Sequence, residues 1–383
     1  MAGSATPPPD RNRLETEIAA NPVLSKVREA LEDESVFIVG GTVRDLLVGL
    51  PATDLDLVVE GDVTALATRL DTDAVIHERF GTAELEVGGH RVDLVRARTE
   101  TYPEPGALPQ VTPAELIDDL ARRDFTINAM AVGLEEPRQL VDPFDGFADL
   151  EEGTLRILRP GSFQEDPTRA IRAARYAARF GFALEEETAR EVGAVDLGTV
   201  TRDRLLSEFE RLCGEVNAPR ALGLLAEWGV GNRGTEVAGL GPVGLELLLD
   251  APWSGFLDPA EFGLDWILGT NGTDIDPLLE FRGPPSEAVQ LASDFGSREI
   301  LLARAAGAEW LDDWAGDWRQ ASPVITGEDL VARGVPEGPA VGIGLDAALT
   351  AQLDRGLVDF DGQIEVALEA IGPGGRGERD RPN

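Results

Sequence analysis

The chain has 383 residues, of which 43% are hydrophobic and 27% charged, and its formal net charge is −36. This composition is typical of a folded protein, and the length allows two or more hydrophobic cores. The sequence has no run of about eighteen apolar residues, which argues against a membrane-spanning helix. One cysteine and two histidines exclude an intramolecular disulfide and a metal centre built from these residues, so we expect a cytoplasmic protein.

The first residues, MAGSATPPPDRN, are rich in proline and polar side chains and lack the apolar core of a signal peptide. We expect residues 1–20 to form a disordered lead-in.

Residues 37–60, FIVGGTVRDLLVGLPATDLDLVVE, carry the most informative pattern. A buried strand leads into the Gly40–Gly41 turn, where the backbone can approach a ligand closely, and a helix with Arg44 follows. The next strand carries Asp54 and Asp56, whose side chains point to the same face because they are two residues apart. Two carboxylates beside a glycine turn suit Mg²⁺ and a nucleotide phosphate. The alternative is a solvated strand end.

The alternation of helix and strand then continues. We predict a short helix over Val63–Leu70, strands over residues 74–82, 83–87 and 90–97, and a hairpin turn at Gly88 and Gly89. Asp93 lies on the last of these strands. It is either a structural residue or a third catalytic carboxylate beside Asp54 and Asp56.

Residues 102–113, YPEPGALPQVTP, are rich in proline and glycine and are predicted to form no regular element. Their position inside a domain favours a mobile active-site loop over a linker. Residues 115–132 show helical spacing of apolar residues, and residues 143–153 are predicted to form a turn region.

A polar cluster lies within this helical stretch. The segment RRDFTIN contains Arg123, Asp124 and Asn128. These are either surface residues at a helix start or a set that hydrogen-bonds a ribose. The later segment VDPFDG, residues 141–146, is predicted to be a turn between two domains with a mainly structural role.

The segment EDPTRAIRAARYAARFGF, residues 165–182, predicts a helix that ends at Gly181. Its charged side chains share one helical face, and alanines occupy the opposite face. The charged residues are Asp166, Arg169, Arg172, Arg175 and Arg179. This face is either solvated or presents carboxylate and guanidinium groups side by side to a ligand.

The charge of this region contrasts with that of the whole chain. Residues 154–182 contain six arginines against two acidic residues, whereas the chain has a single lysine, Lys26, and a net charge of −36. An acidic protein repels nucleic acid at low salt. The chain therefore either has no nucleic-acid partner or works in a salt-rich cytoplasm, where charge is screened. The arginine-rich region favours the second interpretation.

The remaining sequence predicts mostly helices. Residues 202–216 and 218–230 are amphipathic, residues 231–272 have weak periodicity, and residues 325–359 suggest helices packed closely through glycines. Residues 372–383, GPGGRGERDRPN, are predicted to be disordered.

Together these motifs resemble the class II tRNA nucleotidyltransferases, the CCA-adding enzymes and their bacterial poly(A) polymerase relatives. In chain order the matching segments are GGTVRD with DLD, RFGT, VDLVRARTETYPEPGALP, RRDFTINAMA, VDPFDG and EDPTRAIRAARYAARFGF. The resemblance covers residues 36–215, and a weaker similarity lies in ITGEDLVARGVPEGPAVG.

The resemblance implies an α+β fold, a polymerase-β-like nucleotidyltransferase head followed by all-α neck, body and tail domains. We assign residues 21–150 to the head, 151–215 to the neck, and 216–371 to the body and tail, which we expect to bind tRNA. The implied substrates are tRNA, CTP and ATP, the implied cofactor is Mg²⁺, and no protein partner is implied.

The same resemblance implies a role for each motif. Asp54 and Asp56 would hold Mg²⁺, while Gly41, in the turn with Gly40, and Arg44 would contact the triphosphate. Arg123, with Asp124 and Asn128, would lie near the ribose. The incoming base would be read, and the nucleotide held, by Asp166, Arg169, Arg172 and Arg175.

A carboxylate beside an arginine is suited to selecting a nucleotide without a template. Cytosine and adenine place an amino donor next to a ring-nitrogen acceptor, so Asp166 would accept from the amino group while Arg169 donates to the ring nitrogen. Uracil and guanine have the opposite polarity, and one bidentate pair discriminates by about 1–3 kcal/mol. The expected reaction is in-line attack of the tRNA 3′-hydroxyl on the α-phosphorus, assisted by Mg²⁺, with release of pyrophosphate.

Several activities fit this pattern. Within the family, the product is full CCA, only A, only CC, or poly(A). Residues 101–111 lie where the family carries a flexible loop associated with adding the final A, which disfavours a CC-only enzyme. A sugar-nucleotide glycosyltransferase also uses DxD with a metal but has no need of RRDFTIN or EDPTR. The intact carboxylate pair argues against a catalytically silent RNA-binding module.

Overall fold

The computed structural model describes residues 7–51, 55–71, 73–77, 81–231, 239–269 and 274–372. The chain divides into two compact units. The first comprises Met1–Thr235 with Gly263–Thr270, and the second comprises Glu236–Phe262 with Asn271–Asn383. Across the described ranges, no helix combines the length and the apolar character needed to cross a lipid bilayer.

A mixed β-sheet provides the framework of the first unit. The strands within the described residues are β1 Ser35–Val39, β2 Leu55–Glu60, β3 Val75–His77, β4 Thr82–Val87, β5 His90–Arg96, β6 Arg98–Thr101, β7 Gln110–Pro113, β8 Ala131–Gly133, β9 Leu140–Val141, β10 Thr154–Leu155 and β11 Ala183–Leu184. Seven of them form one sheet in the order β3-β4-β5-β2-β1-β8-β9. Within it β2 and β5 are parallel, and the other neighbours are antiparallel. This sheet confirms the predicted α+β head.

Alternating burial explains why an outer segment of this sheet forms a strand. In β4, Ala83 and Leu85 are buried while Glu84 and Glu86 are exposed, the alternation expected of a strand with one covered face. The central strands β1 and β2 are buried more continuously. They contribute to a core cluster made of Val39, Val58, Ala97, Leu116, Leu120, Ala129 and Ala131.

Short helices accompany the sheet. They are α1 Arg11–Ala20, α2 Pro22–Glu29, α3 Gly41–Leu47, α4 Val63–Leu70, α5 Leu116–Ala121 and α6 Gly146–Glu152, with a 3-10 turn at Thr126–Asn128. Helix α4 confirms the prediction for that segment. It begins after Asp62, whose side chain accepts a hydrogen bond from the backbone N–H of Ala65 at 3.1 Å, a common N-cap.

The prediction that residues 1–20 are disordered is wrong for residues 11–20, which form α1. The side chain of Asp10 caps this helix by accepting from the N–H of Asn12 at 2.9 Å. Leu14 and Ile18 are buried, and packing of this apolar face stabilises a segment that its composition did not mark as helical. Residues 1–6, and residues 373–383 of the predicted disordered tail, lie outside the described residues.

The single helix predicted over residues 115–132 is also wrong. Helix α5 ends at Ala121, the 3-10 turn at Thr126–Asn128 follows, and β8 begins at Ala131. The apolar spacing has another cause: the last residues of this stretch pair with β1 in the sheet. Tertiary pairing overrides helical periodicity here.

The predicted turn region at residues 143–153 contains helix α6 instead. Both carboxylate oxygens of Asp142 accept hydrogen bonds from backbone N–H groups, those of Gly146 at 2.8 Å and Phe147 at 2.9 Å. A Cβ at Gly146 would collide with the backbone carbonyl of Thr126, so glycine permits α6 to pack closely on the 3-10 turn.

The prediction that residues 102–113 form no regular element is wrong for Gln110–Pro113. These residues form β7, which pairs with β6 outside the main sheet. A two-stranded ribbon tolerates proline because an edge position needs no donor there. The strand predicted over residues 74–82 is divided: β3 ends at His77, residues 78–80 lie outside the described residues, and β4 begins at Thr82.

A helical part follows the head within the first unit. Its helices are α7 Ser162–Glu165, α8 Thr168–Phe180, α9 Glu186–Val192, α10 Arg202–Cys213 and α11 Ala218–Glu227, with a 3-10 turn at Leu197–Thr199. Helix α8 ends as predicted at Gly181, which has a left-handed backbone with φ of 73°. Its alanine face is buried, with Ala170, Ala173 and Ala174 at 0% exposure.

The described residues of the second unit are helical, in agreement with the predicted all-α body and tail. The helices are α12 Leu240–Leu247, α13 Pro259–Leu268, α14 Asp276–Glu280, α15 Pro285–Ala292, α16 Ser297–Ala305, α17 Trp310–Gly316, α18 Gly327–Ala332, α19 Pro339–Arg355 and α20 Phe360–Ile371, with a 3-10 turn at Trp318–Gln320. The domain boundaries proposed at residues 150 and 215 stay predictions.

Candidate active site

The predicted catalytic carboxylates lie on the paired strands β2 and β5. Asp54 lies outside the described residues. Asp56 is exposed on β2, and its N–H donates to Thr42 Oγ1 at 3.3 Å. Asp56 stands opposite Asp93 in the parallel pairing, which places both side chains on the same face of the sheet. This is the position that a third carboxylate requires, and its catalytic role stays a prediction.

The two carboxylates fit a hard divalent cation, because carboxylate oxygens are its usual protein ligands and neighbouring strands lie only about 4.7–4.9 Å apart. Asp93 also accepts from Arg91 Nε at 3.2 Å. Within the described ranges, no group of three or more histidine, cysteine, aspartate or glutamate side chains is arranged to hold a metal ion. Asp54, the third member of the predicted set, is outside those ranges.

The glycine turn between β1 and α3 is a close-approach site. Gly40 has φ of 65° and its N–H donates to the carbonyl of Met130 at 3.1 Å. A Cβ at Gly40 would collide with Nη1 of Arg123. The missing Cβ at Gly40 therefore leaves space for Arg123 of the RRD segment beside the backbone. In the sequence analysis, this space was predicted to be occupied by a ligand.

Arg44 is a buried structural connection in this structure. Its Nε and Nη2 each lie 2.8 Å from Asp45 Oδ1, and Nη1 donates to Asn128 Oδ1 at 2.6 Å. The guanidinium carbon also lies 4.8 Å and 4.9 Å from the ring centroids of Tyr176 and Phe180 on α8. With 4% of its side chain exposed, Arg44 holds α3 to α8. Its contact with a triphosphate stays a prediction.

The RRD segment forms a linked set of side chains. Arg123 donates through Nη2 to Asp119 Oδ2 at 3.0 Å, and through Nη1 to the carbonyl of Asn128 at 3.3 Å. Asp124 Oδ1 accepts from the N–H of Phe125 and from Asn128 Nδ2, both at 2.9 Å. Asn128 therefore connects Asp124 to Arg44 and acts on the site by positioning other groups.

Asp166, at the turn between α7 and α8, is 6% exposed and held from both sides. Its Oδ1 accepts from Thr168 N–H at 3.1 Å, from Thr168 Oγ1 at 2.6 Å and from Arg204 Nη2 at 3.2 Å. Its Oδ2 accepts from Arg172 Nη2 at 3.3 Å. Burial alone would raise the pKa of Asp166, but Arg172, the Thr168 hydrogen bond and Arg204 together hold it below its usual value.

Arg169 is 2% exposed and lies one helical turn beyond Asp166. Its Nη1 donates to Ser162 Oγ and to the carbonyl of Ser162, and its Nη2 donates to the carbonyl of Arg122 at 3.1 Å. Its Nε is buried and has no hydrogen-bond partner among the described residues. A buried donor without a partner is costly, so Nε is the nitrogen of Arg169 that the described hydrogen bonds leave unsatisfied.

Arg172 is surrounded by three carboxylates. It lies 3.1 Å from Asp124 Oδ2, 3.3 Å from Asp166 Oδ2 and 3.4 Å from Glu208 Oε1. Burial alone would lower the pKa of Arg172, but these carboxylates raise it above its usual range. Arg172 also keeps Asp124 ionised: burial raises the pKa of Asp124, and the charge of Arg172 with the Asn128 hydrogen bond more than offsets this.

A cavity of about 440 Å³ brings the head and helical parts of the first unit together. It is lined by Val39, Asp56, Leu57, Val58, Val95, Arg98, Glu100, Tyr102, Pro109, Arg122, Arg123, Asp124, Asp166, Arg169, Arg172 and Arg204. Six predicted site residues are in this set: Asp56, Arg123, Asp124, Asp166, Arg169 and Arg172. The other described ones, Gly40, Gly41, Arg44, Asp93, Asn128 and Arg175, are not among its lining residues.

Arg175 lies at the outer side of this arrangement. Its Nη2 donates to Tyr176 Oη at 3.4 Å, and its Nε lies 3.8 Å from Glu215 Oε1. These contacts place Arg175 among residues that join α8 to the chain after α10. Its predicted role in holding the nucleotide has no geometric support in this structure and stays a prediction.

Sequence reasoning missed several residues of the cavity wall. Glu100 Oε1 accepts from Arg98 Nη2 at 3.2 Å and from Arg122 Nη1 at 2.6 Å, while its Oε2 accepts from the hydroxyl of Tyr102 at 3.0 Å. Burial, with the negative charge of Glu100, raises the pKa of Tyr102 to about 12. Arg204 on α10 is a further missed residue, since it contacts Asp166 directly.

One signal for the missed residues was present in the sequence. Arg98, Glu100 and Tyr102 alternate along RTETY, so their side chains share one face of an extended segment. Arg204 gave no comparable signal, because an arginine in an amphipathic helix is usually a solvated residue. Only the packing of α10 near Asp166 reveals its position.

The chain is similar to several known proteins. The family described as "Poly A polymerase head domain" matches residues 36–156. The A-adding tRNA nucleotidyltransferase of Halalkalibacterium halodurans is 45% identical over 197 residues, 48% of this chain and 46% of that protein. The CC-adding tRNA nucleotidyltransferase of Deinococcus radiodurans is 35% identical over 364 residues, 90% of this chain and 91% of that protein.

Solved structures extend the likeness to nearly the whole fold. The Thermotoga maritima CCA-adding enzyme complexed with tRNA has a TM-score of 0.71 and 27% identity, covering 95% of this chain and 99% of that one. An apo form of a CCA-adding enzyme has a TM-score of 0.72 and 26% identity, covering 93% and 95%.

The extent of the match differs among the curated relatives. The chain spans less than half the length of the Halalkalibacterium halodurans protein and 22% of the Aquifex aeolicus A-adding tRNA nucleotidyltransferase, to which it is 46% identical over 184 residues. It spans nearly all of the Deinococcus radiodurans protein. By this full-length match and the head-domain match, the chain belongs to the tRNA nucleotidyltransferase family and carries the poly(A) polymerase head domain.

Proposed function

We propose that this protein adds CCA, or part of it, to the 3′ end of tRNA by transferring nucleotides from CTP and ATP without a nucleic-acid template. The observation that carries this proposal is the cavity of about 440 Å³, in which the head carboxylate Asp56 lies with Asp166, Arg169 and Arg172. A group suited to phosphoryl transfer and groups suited to base selection thus share one site.

The charge of the cavity supports an anionic substrate. Six arginines line it, against four carboxylates, in a chain with a net charge of −36. The arginines are Arg98, Arg122, Arg123, Arg169, Arg172 and Arg204, and the carboxylates are Asp56, Glu100, Asp124 and Asp166. A locally positive cavity in an acidic protein favours a polyphosphate, because the field is focused where the positive groups converge.

The hydrogen bonds of Asp166 indicate which of its atoms would read the base. Oδ1 has three donors, Thr168 N, Thr168 Oγ1 and Arg204 Nη2, whereas Oδ2 accepts only from Arg172 among the described hydrogen bonds. Oδ2 therefore retains capacity to accept from the amino group of cytosine or adenine. The lowered pKa of Asp166 keeps this carboxylate in the accepting form near neutral pH.

Arg169 would complete the selection. Its buried Nε, which has no partner in the described part of the chain, would donate to the ring nitrogen next to the amino group. Uracil or guanine would present a donor to Arg169 and an acceptor to Asp166, and both protein groups would remain unpaired. Loss of one bidentate pair costs about 1–3 kcal/mol.

The head residues would hold the reacting phosphates. Asp56 and Asp93, with Asp54, would bind divalent cations, and Mg²⁺ is the ion we propose. When bound, such ions would supply activation of the attacking hydroxyl and stabilisation of charge on the departing pyrophosphate. The backbone at Gly40 and Gly41 would lie near the triphosphate, and Arg123 near the ribose. Arg44 and Asn128 would support these groups from within the fold.

The proposed partners follow from the same reaction. The tRNA would bind along the helical residues 216–371, and the protein would act in the cytoplasm. With 70 acidic and 34 basic residues, we propose that it works at high salt, where the repulsion between its surface and the RNA is screened within a few ångströms. Magnesium dependence, RNA binding and salt adaptation are each part of this proposal.

A CC-adding enzyme is the second candidate. It is favoured by the Deinococcus radiodurans relative, which matches this chain over nearly its full length. The segment at residues 101–111 points the other way, since the motif resemblance associates this loop with addition of the final A. The same loop is compatible with addition of A alone or of poly(A), which are further alternatives.

One assay separates these activities. Labelled CTP and ATP would be offered singly and together to a tRNA that lacks CCA and to one that ends in CC, across a salt series. The proposal expects extension by three nucleotides on the first substrate and by one on the second, with activity rising with salt. Extension by two would support the CC-adding enzyme, a long tail would support poly(A) addition, and no extension at any salt would contradict the proposed function.

A further inference from the structure

The buried residue of the segment at residues 102–109, Gly106, contacts the helical part of the first unit. Its neighbours Glu104, Pro105 and Leu108 are exposed. The N–H of Gly106 donates to the carbonyl of Glu165 at 3.2 Å. The segment is thus attached next to Asp166, although most of it faces solvent.

Only glycine fits at this attachment point. Gly106 has φ of 73°, and a Cβ there would lie 2.6 Å from the carbonyl oxygen of Thr199. A larger residue would need both a strained backbone and displacement of the 3-10 turn at Leu197–Thr199. The close approach brings the carbonyl of Gly106 within reach of α10.

Arg204 on α10 connects this carbonyl to the base-reading carboxylate. Its Nη1 donates to the carbonyl of Gly106 at 2.6 Å, and its Nη2 donates to Asp166 Oδ1 at 3.2 Å. The two nitrogens belong to one planar guanidinium, so their directions are fixed relative to each other. The position of Gly106 therefore constrains the donor that faces Asp166.

Asp166 depends on such donors for its orientation. Arg204 and Thr168 bind Oδ1, and Arg172 binds Oδ2. Removing the Arg204 hydrogen bond would leave only Thr168 and Arg172 to fix the plane of the carboxylate. The direction of its Oδ2 would then be less tightly defined.

We propose that Arg204 is a positioning residue for nucleotide selection, through which the placement of Gly106 sets the orientation of Asp166. This inference rests on the proposed function, since it assigns Asp166 to base reading. Arg204 acts here through Asp166, and the inference requires no contact between Arg204 and the reacting atoms.

Two substitutions test this role. Arg204→Gln removes both the positive charge and the two guanidinium N–H groups that donate to Gly106 and Asp166. Arg204→Lys keeps the charge, but its single ammonium group does not reproduce the planar geometry. Both are expected to reduce the preference for CTP and ATP over UTP and GTP by about tenfold or more, the lower end for one lost bidentate pair. The rate constant for CMP incorporation at saturating CTP should change less than this preference.

Arg202→Gln is the matched control. Arg202 lies on the same helix, is half exposed, and pairs with Asp265 at 2.9 Å, and it does not line the cavity. Its nucleotide preference should equal that of the wild type. Thermal unfolding of all variants separates the two roles, because a merely structural Arg204 would lower the unfolding temperature and leave the preference unchanged.

Gly106→Ala provides an independent route to the same effect. It should displace the segment and reduce the nucleotide preference while Arg204 is intact. In the double variant Gly106→Ala with Arg204→Gln, the losses should not add, because both act through one connection. Additive losses, or an unchanged preference in Arg204→Gln and Arg204→Lys, would overturn the inference about Arg204. The proposed function would still stand if the wild-type protein incorporates nucleotides. A wild type that incorporates no nucleotide would instead overturn both.

Discussion

The two sides of the cavity are constructed in different ways. On the head side, Asp56 is exposed and faces Asp93 across one strand pairing, so the backbone register places both carboxylates on one face of the sheet. On the helical side, Asp166 and Arg169 are 6% and 2% exposed, and several hydrogen bonds fix each of them. The side that we propose chooses the base is thus ordered without a nucleotide, which would reduce the entropy cost of recognition.

This difference explains what each side can tolerate. An exposed carboxylate can be replaced with little effect on folding, so a substitution there reports on chemistry. A buried charge is part of a network, and its removal leaves other charges without partners. The comparison therefore predicts activity effects on the head side and combined stability and selectivity effects on the helical side.

The largest expected effect is on the head side. Asp56→Asn should lower kcat/KM for CMP incorporation by about 10²–10³-fold, the size found when one group that stabilises transition-state charge is removed. Its unfolding free energy should stay near that of the wild type, because Asp56 is exposed. Glu86→Gln, an exposed carboxylate on β4 outside the cavity lining, serves as the control. Near wild-type activity in Asp56→Asn would contradict the proposed catalytic role of Asp56.

A buried connection between the two sides comes next. Arg44→Gln should lower the free energy of unfolding by about 3 kcal/mol, since removing one partner of a buried ion pair leaves the other uncompensated. Arg44 is 4% exposed and pairs with Asp45. Arg220→Gln, which breaks an exposed pair with Glu227, should cost about 0–1 kcal/mol. Urea unfolding measures both. Equal losses in the two variants would show that burial does not distinguish them.

The smallest effect is a pH dependence at Asp124, a head residue that pairs with Arg172 of the helical side at 3.1 Å. The pKa of Asp124 is lowered in the folded state, so its ionised form contributes stability above the unfolded pKa of about 3.9 and loses it as pH falls through the folded pKa. The difference in unfolding free energy between wild type and Asp124→Asn should be constant from pH 8 to about pH 5 and shrink below about pH 4. A difference that grew on acidification would contradict the assigned shift.

The sequence predicted the side of the site that depends on local pattern. Strand alternation identifies Asp56 and Asp93, and turn chemistry identifies Gly40, because these features need only neighbours in the chain. The motif resemblance added Asp166, Arg169 and Arg172, which line the cavity.

The rest depends on long-range packing that local pattern does not encode. Arg204 contacts Asp166 across 38 positions, and Arg44 is buried against rings of α8. The helix predicted over residues 115–132 failed for the same reason, since the pairing of β8 with β1 decides that segment. The role of residue 54, which lies outside the described residues, and the tRNA contacts of residues 216–371 stay predictions from the sequence.

The most direct test of the division between chemistry and selection is the Asp166→Asn variant, offered each of the four nucleoside triphosphates in single-turnover reactions with tRNA that lacks CCA, where CTP is the expected substrate, and with tRNA that ends in CC, where ATP is. An amide can place a donor where the carboxylate accepts. The account predicts that the preference for CTP and ATP over UTP and GTP falls by about tenfold to a hundredfold, while Asp56→Asn slows all four without changing the preference. A full preference for CTP and ATP in Asp166→Asn would contradict the account.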